Sequence, residues 1–180
     1  MIVLVLCPQV GVEEYWHVYC GPPRDGSVSA MFWRSGVATC VDFDNAYGRR
    51  QDILQPRVRA LMLHALDVLH LCRGLLGGPN CRSFSPGRPT IRPRADPLGQ
   101  HATAADRVYL DDENMLFTFY AALCWRTFQL DRDFLAENPG DLGDPLSPVF
   151  RPARAGAASL FCTPPYLDLV TATGALPITG

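Results

Sequence analysis

The stretch SVSAMFWRSGVATCVDFDNAYGRR, Ser27 to Arg50, decides what kind of sheet the chain builds. Val28, Ala30 and Phe32 alternate with Ser29, Met31 and Trp33. Beyond Arg34-Ser35-Gly36, Val37, Thr39, Val41 and Phe43 alternate with Ala38, Cys40 and Asp42. Alternation sends successive side chains to opposite faces of a strand, and a short Gly-containing loop between two such runs predicts a β-hairpin over Val28–Phe43. In that hairpin Phe43 faces a core, while Asp42 and Asp44 share the outer face. Two carboxylates there are a weak candidate for a divalent cation, because such a site needs further oxygen ligands that the neighbouring sequence does not supply. Asp44-Asn45 followed by Gly48 reads better as the exit turn of the strand.

Working outward, Met1 to Val10 is an apolar, β-branched run that reads as a buried strand, and Glu14–Cys20 (EYWHVYC), bounded by Gly21-Pro22-Pro23, reads as another. The period then changes. From Gln55-Pro56, Val58, Leu61, Met62, Ala65, Val68, Leu69, Cys72 and Leu76 recur at helical spacing until Gly77-Gly78-Pro79. A second helix is expected from about Asp112 to Asn138, with Asp111 or Asp112 as its cap. Leu116, Phe119, Tyr120, Leu123, Leu130 and Phe134 form one apolar stripe on it, and Phe117, Cys124 and Phe128 a second. The expected fold is therefore α+β: an N-terminal antiparallel sheet of about four strands packed against two long helices. One domain over 1–180 is expected, with 77–106 a flexible or extended loop and 139–180 a Pro-rich, largely irregular segment.

That loop carries Arg82, Arg88, Arg92 and Arg94 against Asp96 and Asp106. Its arginines could meet phosphates, but only Phe84 interleaves with them, so nucleic acid is the weakest functional reading. The spacing in SPGRPTIRP suits a partner domain that binds extended proline segments, and Ser85-Pro86 could take a phosphate. A solvated tether is the plainest reading.

All 16 cationic side chains are arginine and none is lysine, which excludes Schiff-base chemistry and a P-loop amine. A GC-rich genome is the plainer explanation of that usage, and selection to escape ubiquitination the other. The formal charge of −2 provides no general attraction to polyanions. Seven scattered cysteines, an odd number with no secretory signal ahead of them, read as buried thiols in a reducing cytoplasm or nucleus. No stretch is long and apolar enough to span a membrane.

Tests for chemistry return little. No Cys-x-x-Cys is present. His17 and Cys20 would point to opposite strand faces, and His70 and Cys72 sit well apart around a helix. No cofactor motif, Gly-x-Ser-x-Gly elbow or Walker loop appears, so no cofactor is expected. A nucleophilic cysteine would need a distant histidine; Cys40 with His101 or His64, and Asp42 nearby, is the weak candidate set. The second helix has more apolar surface than one sheet face should cover, which points to a protein partner meeting Phe117, Trp125 and Phe128, with Trp16 and Trp33 as further anchors. The sequence thus reads first as a non-enzymatic interaction protein, a homo- or hetero-oligomer within a larger assembly, in its specific form a virion-associated, tegument-like protein of a GC-rich DNA virus. A cysteine-dependent hydrolase and a nucleic-acid binder using the arginine loop are the alternatives.

Overall fold

A computed structural model describes residues 13–19, 25, 27–36, 38–79, 82–84, 90–138 and 140–175. The expected strand at Met1–Val10, the Ser85-Pro86 site, Arg88, and Cys7, Cys20 and Cys81 lie outside the described residues. The chain forms two compact units, Met1–Gly78 with Arg126–Ala136, and Pro79–Trp125 with Glu137–Gly180.

The first unit holds a four-stranded sheet: β1 (Glu13–Val18), β2 (Ala38–Phe43), β3 (Gly74–Gly77) and β4 (Asp133–Ala136), in the order β2-β1-β3-β4. Every neighbouring pair is parallel, which overturns the expected antiparallel sheet. The cause lies in the opening stretch. Val28–Ser35 is not the first arm of a hairpin but a helix, α1. Ser27 caps it, its hydroxyl accepting from the Ala30 amide at 3.2 Å, and Gly36 ends it in the left-handed region at φ 66°. Val28 and Phe32, two strand-like positions in the alternating reading, are also i and i+4 of a helix, and Phe32 meets Tyr15 of β1 at 5.1 Å between ring centres. A helix between β1 and β2 carries the chain back to its starting end, so the two strands run parallel.

Among the described residues there are four helices, and the two long ones expected have other bounds. The first, α2, spans Pro56–Asp67 and stops short of the predicted end. His70 takes φ 52°, and the chain re-extends into β3, where Leu75 is buried. Gly74 is required there, since a Cβ would lie 2.5 Å from the Tyr15 ring of the adjacent strand. Trp16, Val18, Phe43 and Leu75 share one buried face of the sheet by register, and Val58, Met62, Ala65 and Leu66 are the buried residues of α2.

Helix α3 spans Ala104–Gln129, starting earlier than expected. Its start is a reciprocal cap: the Thr103 hydroxyl accepts from the Asp106 amide at 3.2 Å and donates to the Asp106 carboxylate at 2.7 Å. It ends before Asp131, at φ 57°, and the predicted remainder of the helix is β4.

In the second unit, Phe117 lies among Phe84 and Tyr166, at 6.0 and 6.5 Å between ring centres. Phe119, Tyr120, Leu123 and Cys124 of α3 are buried as well. Residues 90–103 form neither helix nor strand, yet they are held firmly. The Ala158 amide donates to the Arg92 carbonyl and the Arg94 amide to the Gly156 carbonyl, flanking a bridge between Pro93 and Ala157. The tail contains helix α4 (Pro164–Thr173) and short 3-10 turns at Pro152–Arg154 and Leu160–Cys162. No helix among the described residues is long and apolar enough to cross a membrane.

Candidate functional site

Parallel strands end together, so their carboxyl ends line one edge. From β1 the chain crosses to β2 on one side; from β2 it returns past β1 to β3 on the other. The gap between β1 and β3 is thus the point where strand order reverses, the place at which open sheets with helical crossovers hold ligands.

At the same carboxyl edge of the first unit, but on the neighbouring β1–β2 pair, stands a polar cluster. His17 of β1 and Asp42 of β2 are register partners, each one residue from its strand's end, with Nδ1 and Oδ1 3.3 Å apart. The other Asp42 oxygen accepts from Ser29 Oγ at 2.7 Å and from the Tyr47 hydroxyl at 3.2 Å. Ser29 is in the first turn of α1, and its hydroxyl is 3.0 Å from that of the cap Ser27. Local folding explains the arrangement. The capped start of α1 sets Ser29 over β2, and the 3-10 turn Asn45–Tyr47 returns Tyr47 to the same carboxylate. His17 Nδ1 and Asp42 Oδ1 are buried yet make no well-aligned hydrogen bond, so both retain bonding capacity. Just past β1, Tyr19 sits at φ 63°, a conformation that costs a bulky residue energy, while its amide donates to the Phe43 carbonyl at 2.8 Å.

No protein family, curated protein or solved structure matches the chain. Any functional reading therefore rests on this geometry.

The other residues singled out from the sequence fall as follows. Asp44 turns away from Asp42 into the exit turn, its carboxylate accepting from the Ala46 amide at 2.8 Å. Among the described residues no three of His, Cys, Asp or Glu stand close enough to hold a metal ion. Cys40 is half-buried opposite Tyr15 in the first unit, His64 is exposed on α2, and His101 is an exposed residue of the second unit with Nδ1 3.6 Å from Asp96. Burial pushes the Cys72 thiol up to about 12, and it raises the Cys124 and Cys162 thiols as well, the direction that disfavours a reactive thiolate.

Arg82 is exposed over the Tyr109 ring, 5.4 Å from its centre. Arg92 is fully buried. Arg94 donates to Asp141 at 2.7 Å and to Asp144 at 2.9 Å, and the Asp141 bond raises its proton affinity further. Phe117 is buried, Trp125 half-buried and Phe128 exposed. From the sequence, neither Ser29 nor Tyr47 is named as a site residue, and His17 is weighed only as a zinc ligand beside Cys20. The signal that could have found them is the Ser27/Gly36 pair bracketing eight residues, a cap and a stop that together mark a helix.

Proposed function

We propose that the chain binds a small, hydroxyl-bearing molecule at the carboxyl edge of its parallel sheet, most simply one that presents a ribose. The observation that carries this reading is Asp42: a fixed carboxylate near the end of the second strand, already gathering hydroxyl donors and keeping 20% exposure. A carboxylate at the corresponding strand end is the group that takes ribose hydroxyls in dinucleotide-binding sheets. The test is saturation-transfer NMR on the full chain with adenosine as probe and adenine as its ribose-free control. Adenosine is expected to bind and adenine to bind at least about tenfold more weakly, with Asp42→Ala reducing adenosine affinity on the order of tenfold to a hundredfold, the range for a hydrogen bond to a charged group. Equal binding of both probes, or none of adenosine, overturns the reading.

A second reading keeps the interaction protein first expected from the sequence. The apolar circumference of α3 that suggested a partner is largely buried, but α1 exposes Met31 at 61% and Trp33 at 79%. Exposed tryptophan is the residue type most enriched at binding hot spots. Trp33→Ser is expected to leave folding stability within about 0.5 kcal/mol, as for surface substitutions generally. If this face joins two copies of the chain, sedimentation across a wide concentration range shows an oligomer that Trp33→Ser abolishes; a monomer throughout removes the homo-oligomer.

A further inference from the structure

We infer that His17 is the proton acceptor of the carboxyl-edge site, oriented by Asp42; this rests on the proposal that a ligand binds there. The imidazole nitrogen facing the carboxylate is Nδ1, 3.3 Å from Oδ1. An ionised carboxylate only accepts, so the favoured tautomer carries its proton on Nδ1 and leaves the lone pair on Nε2. Nδ1 is buried, and the side chain as a whole keeps 15% exposure.

The carboxylate is itself immobilised. Ser29 Oγ and the Tyr47 hydroxyl, from α1 and from the turn after β2, both donate to Oδ2 and hold Oδ1 toward the ring. On the other side of β1 the register partner of His17 is Leu76, which offers neither a competing acceptor nor a cation. This is the arrangement in which a held carboxylate fixes a histidine's tautomer and orientation.

The step balances simply. A ligand hydroxyl donates its hydrogen bond to the Nε2 lone pair and shares its proton with that nitrogen, and no covalent bond breaks. The Nδ1 proton stays on the ring and faces Asp42. The ligand class is an alcohol, which agrees with a ribose.

The experiment is carbethoxylation of the full chain with diethyl pyrocarbonate at mildly alkaline pH, followed residue by residue with mass spectrometry. The reagent acylates an unprotonated imidazole nitrogen. His101, which also faces a carboxylate but is 86% exposed, serves as the internal control along with His64 and His70. Asp42→Asn, whose amide can donate to Nδ1 and move the proton to Nε2, is expected to slow modification of His17 on the order of fivefold or more, with the other three histidines unchanged. Should that variant not fold, Tyr47→Phe loosens the carboxylate and is expected to slow His17 by about twofold. An unreactive His17 in the folded chain, or a rate indifferent to these substitutions, overturns the inference. Adenosine protection separates the two proposals. Asp42-dependent reactivity without protection keeps the base and removes the ribose; protection without Asp42 dependence does the reverse.

Discussion

Arg92→Ala is expected to destabilise the second unit by about 3–5 kcal/mol, the cost of leaving a buried partner charge uncompensated. Arg92 is 1% exposed and Glu113 2%, and they face one another with NH2 and Oε2 3.6 Å apart. The guanidinium donates through Nε to Ser83 Oγ at 2.7 Å, and through NH1 to the Pro97 carbonyl at 2.9 Å and to Asn114 Oδ1 at 2.8 Å. Its flat faces lie against the Phe84 and Phe117 rings, 4.7 and 5.6 Å from their centres. The Ser83 hydroxyl donates to Glu113, closing the network. Burial lowers the proton affinity of Arg92 below the ordinary arginine value, while Glu113 acts to raise it. Removing Arg92 leaves Glu113 without its cation, and the Pro97 carbonyl and Asn114 Oδ1 without their donor. Replacing both groups, as Arg92→Met with Glu113→Leu, is expected to recover most of the loss, because a well-packed apolar pair usually replaces a buried ion pair at little cost. Urea denaturation of the full chain measures both. A cost below about 1 kcal/mol for the single substitution would place the pair among solvent-exposed bridges instead.

Arg92 also shows where composition misleads. In the sequence it is one of four arginines in a proline-rich stretch, and charge there reads as solvated surface or a contact for phosphate. The structure places the four differently: Arg82 over a tyrosine ring, Arg92 in the core, Arg94 on two aspartates, and Arg88 outside the described residues. Nothing in local spacing distinguishes them, because their partners Glu113, Asp141 and Asp144 are brought in from far along the chain. Nor could the apolar excess of α3 be assigned from the helix alone. Phe117 of its second stripe lies against Phe84 and Tyr166, which periodicity within α3 does not contain.

The sheet was half legible. The presence of β1 and β2 followed from their β-branched and aromatic residues, and the start of α2 from Pro56. Direction was lost at one element. Val28–Phe32 satisfies both the strand period of two and the helical i, i+4 spacing, and a run of eight residues is too short for the periods to separate. Capping resolves what periodicity cannot: Ser27 before the run and Gly36 after it suit a helix, whereas a hairpin has no use for a cap. Once that element is a helix, β1 and β2 are parallel and Asp42 moves from an outer hairpin face to a strand's carboxyl end. The functional reading of Asp42 changed for that reason alone.

Trp16→Ala is expected to cost about 3–5 kcal/mol in the first unit, the range for deleting a large aromatic side chain from a core. Trp16 is 1% exposed at the centre of the buried sheet face, paired in register with Val41 and Leu75, its ring 5.2 Å from that of Phe43. The residue also has a polar role that a milder substitution isolates. Its indole N–H donates to Glu14 Oε1 at 3.3 Å, and this bond opposes the burial that raises the Glu14 carboxyl above its ordinary 4.5. Trp16→Phe keeps an aromatic ring but withdraws the donor, so Glu14 should rise further. A carboxyl whose folded value lies above its unfolded one binds more protons when folded, and stability then falls as pH rises from the unfolded toward the folded value. The deficit of Trp16→Phe relative to the parent chain is therefore expected to be smaller below the ordinary carboxyl value than near neutrality, while the deficit of Trp16→Ala stays large at both. Denaturation midpoints at the two pH values decide it. A Trp16→Phe deficit that is flat with pH would mean that the indole–carboxylate bond contributes nothing, and that Trp16 serves the sheet by packing alone.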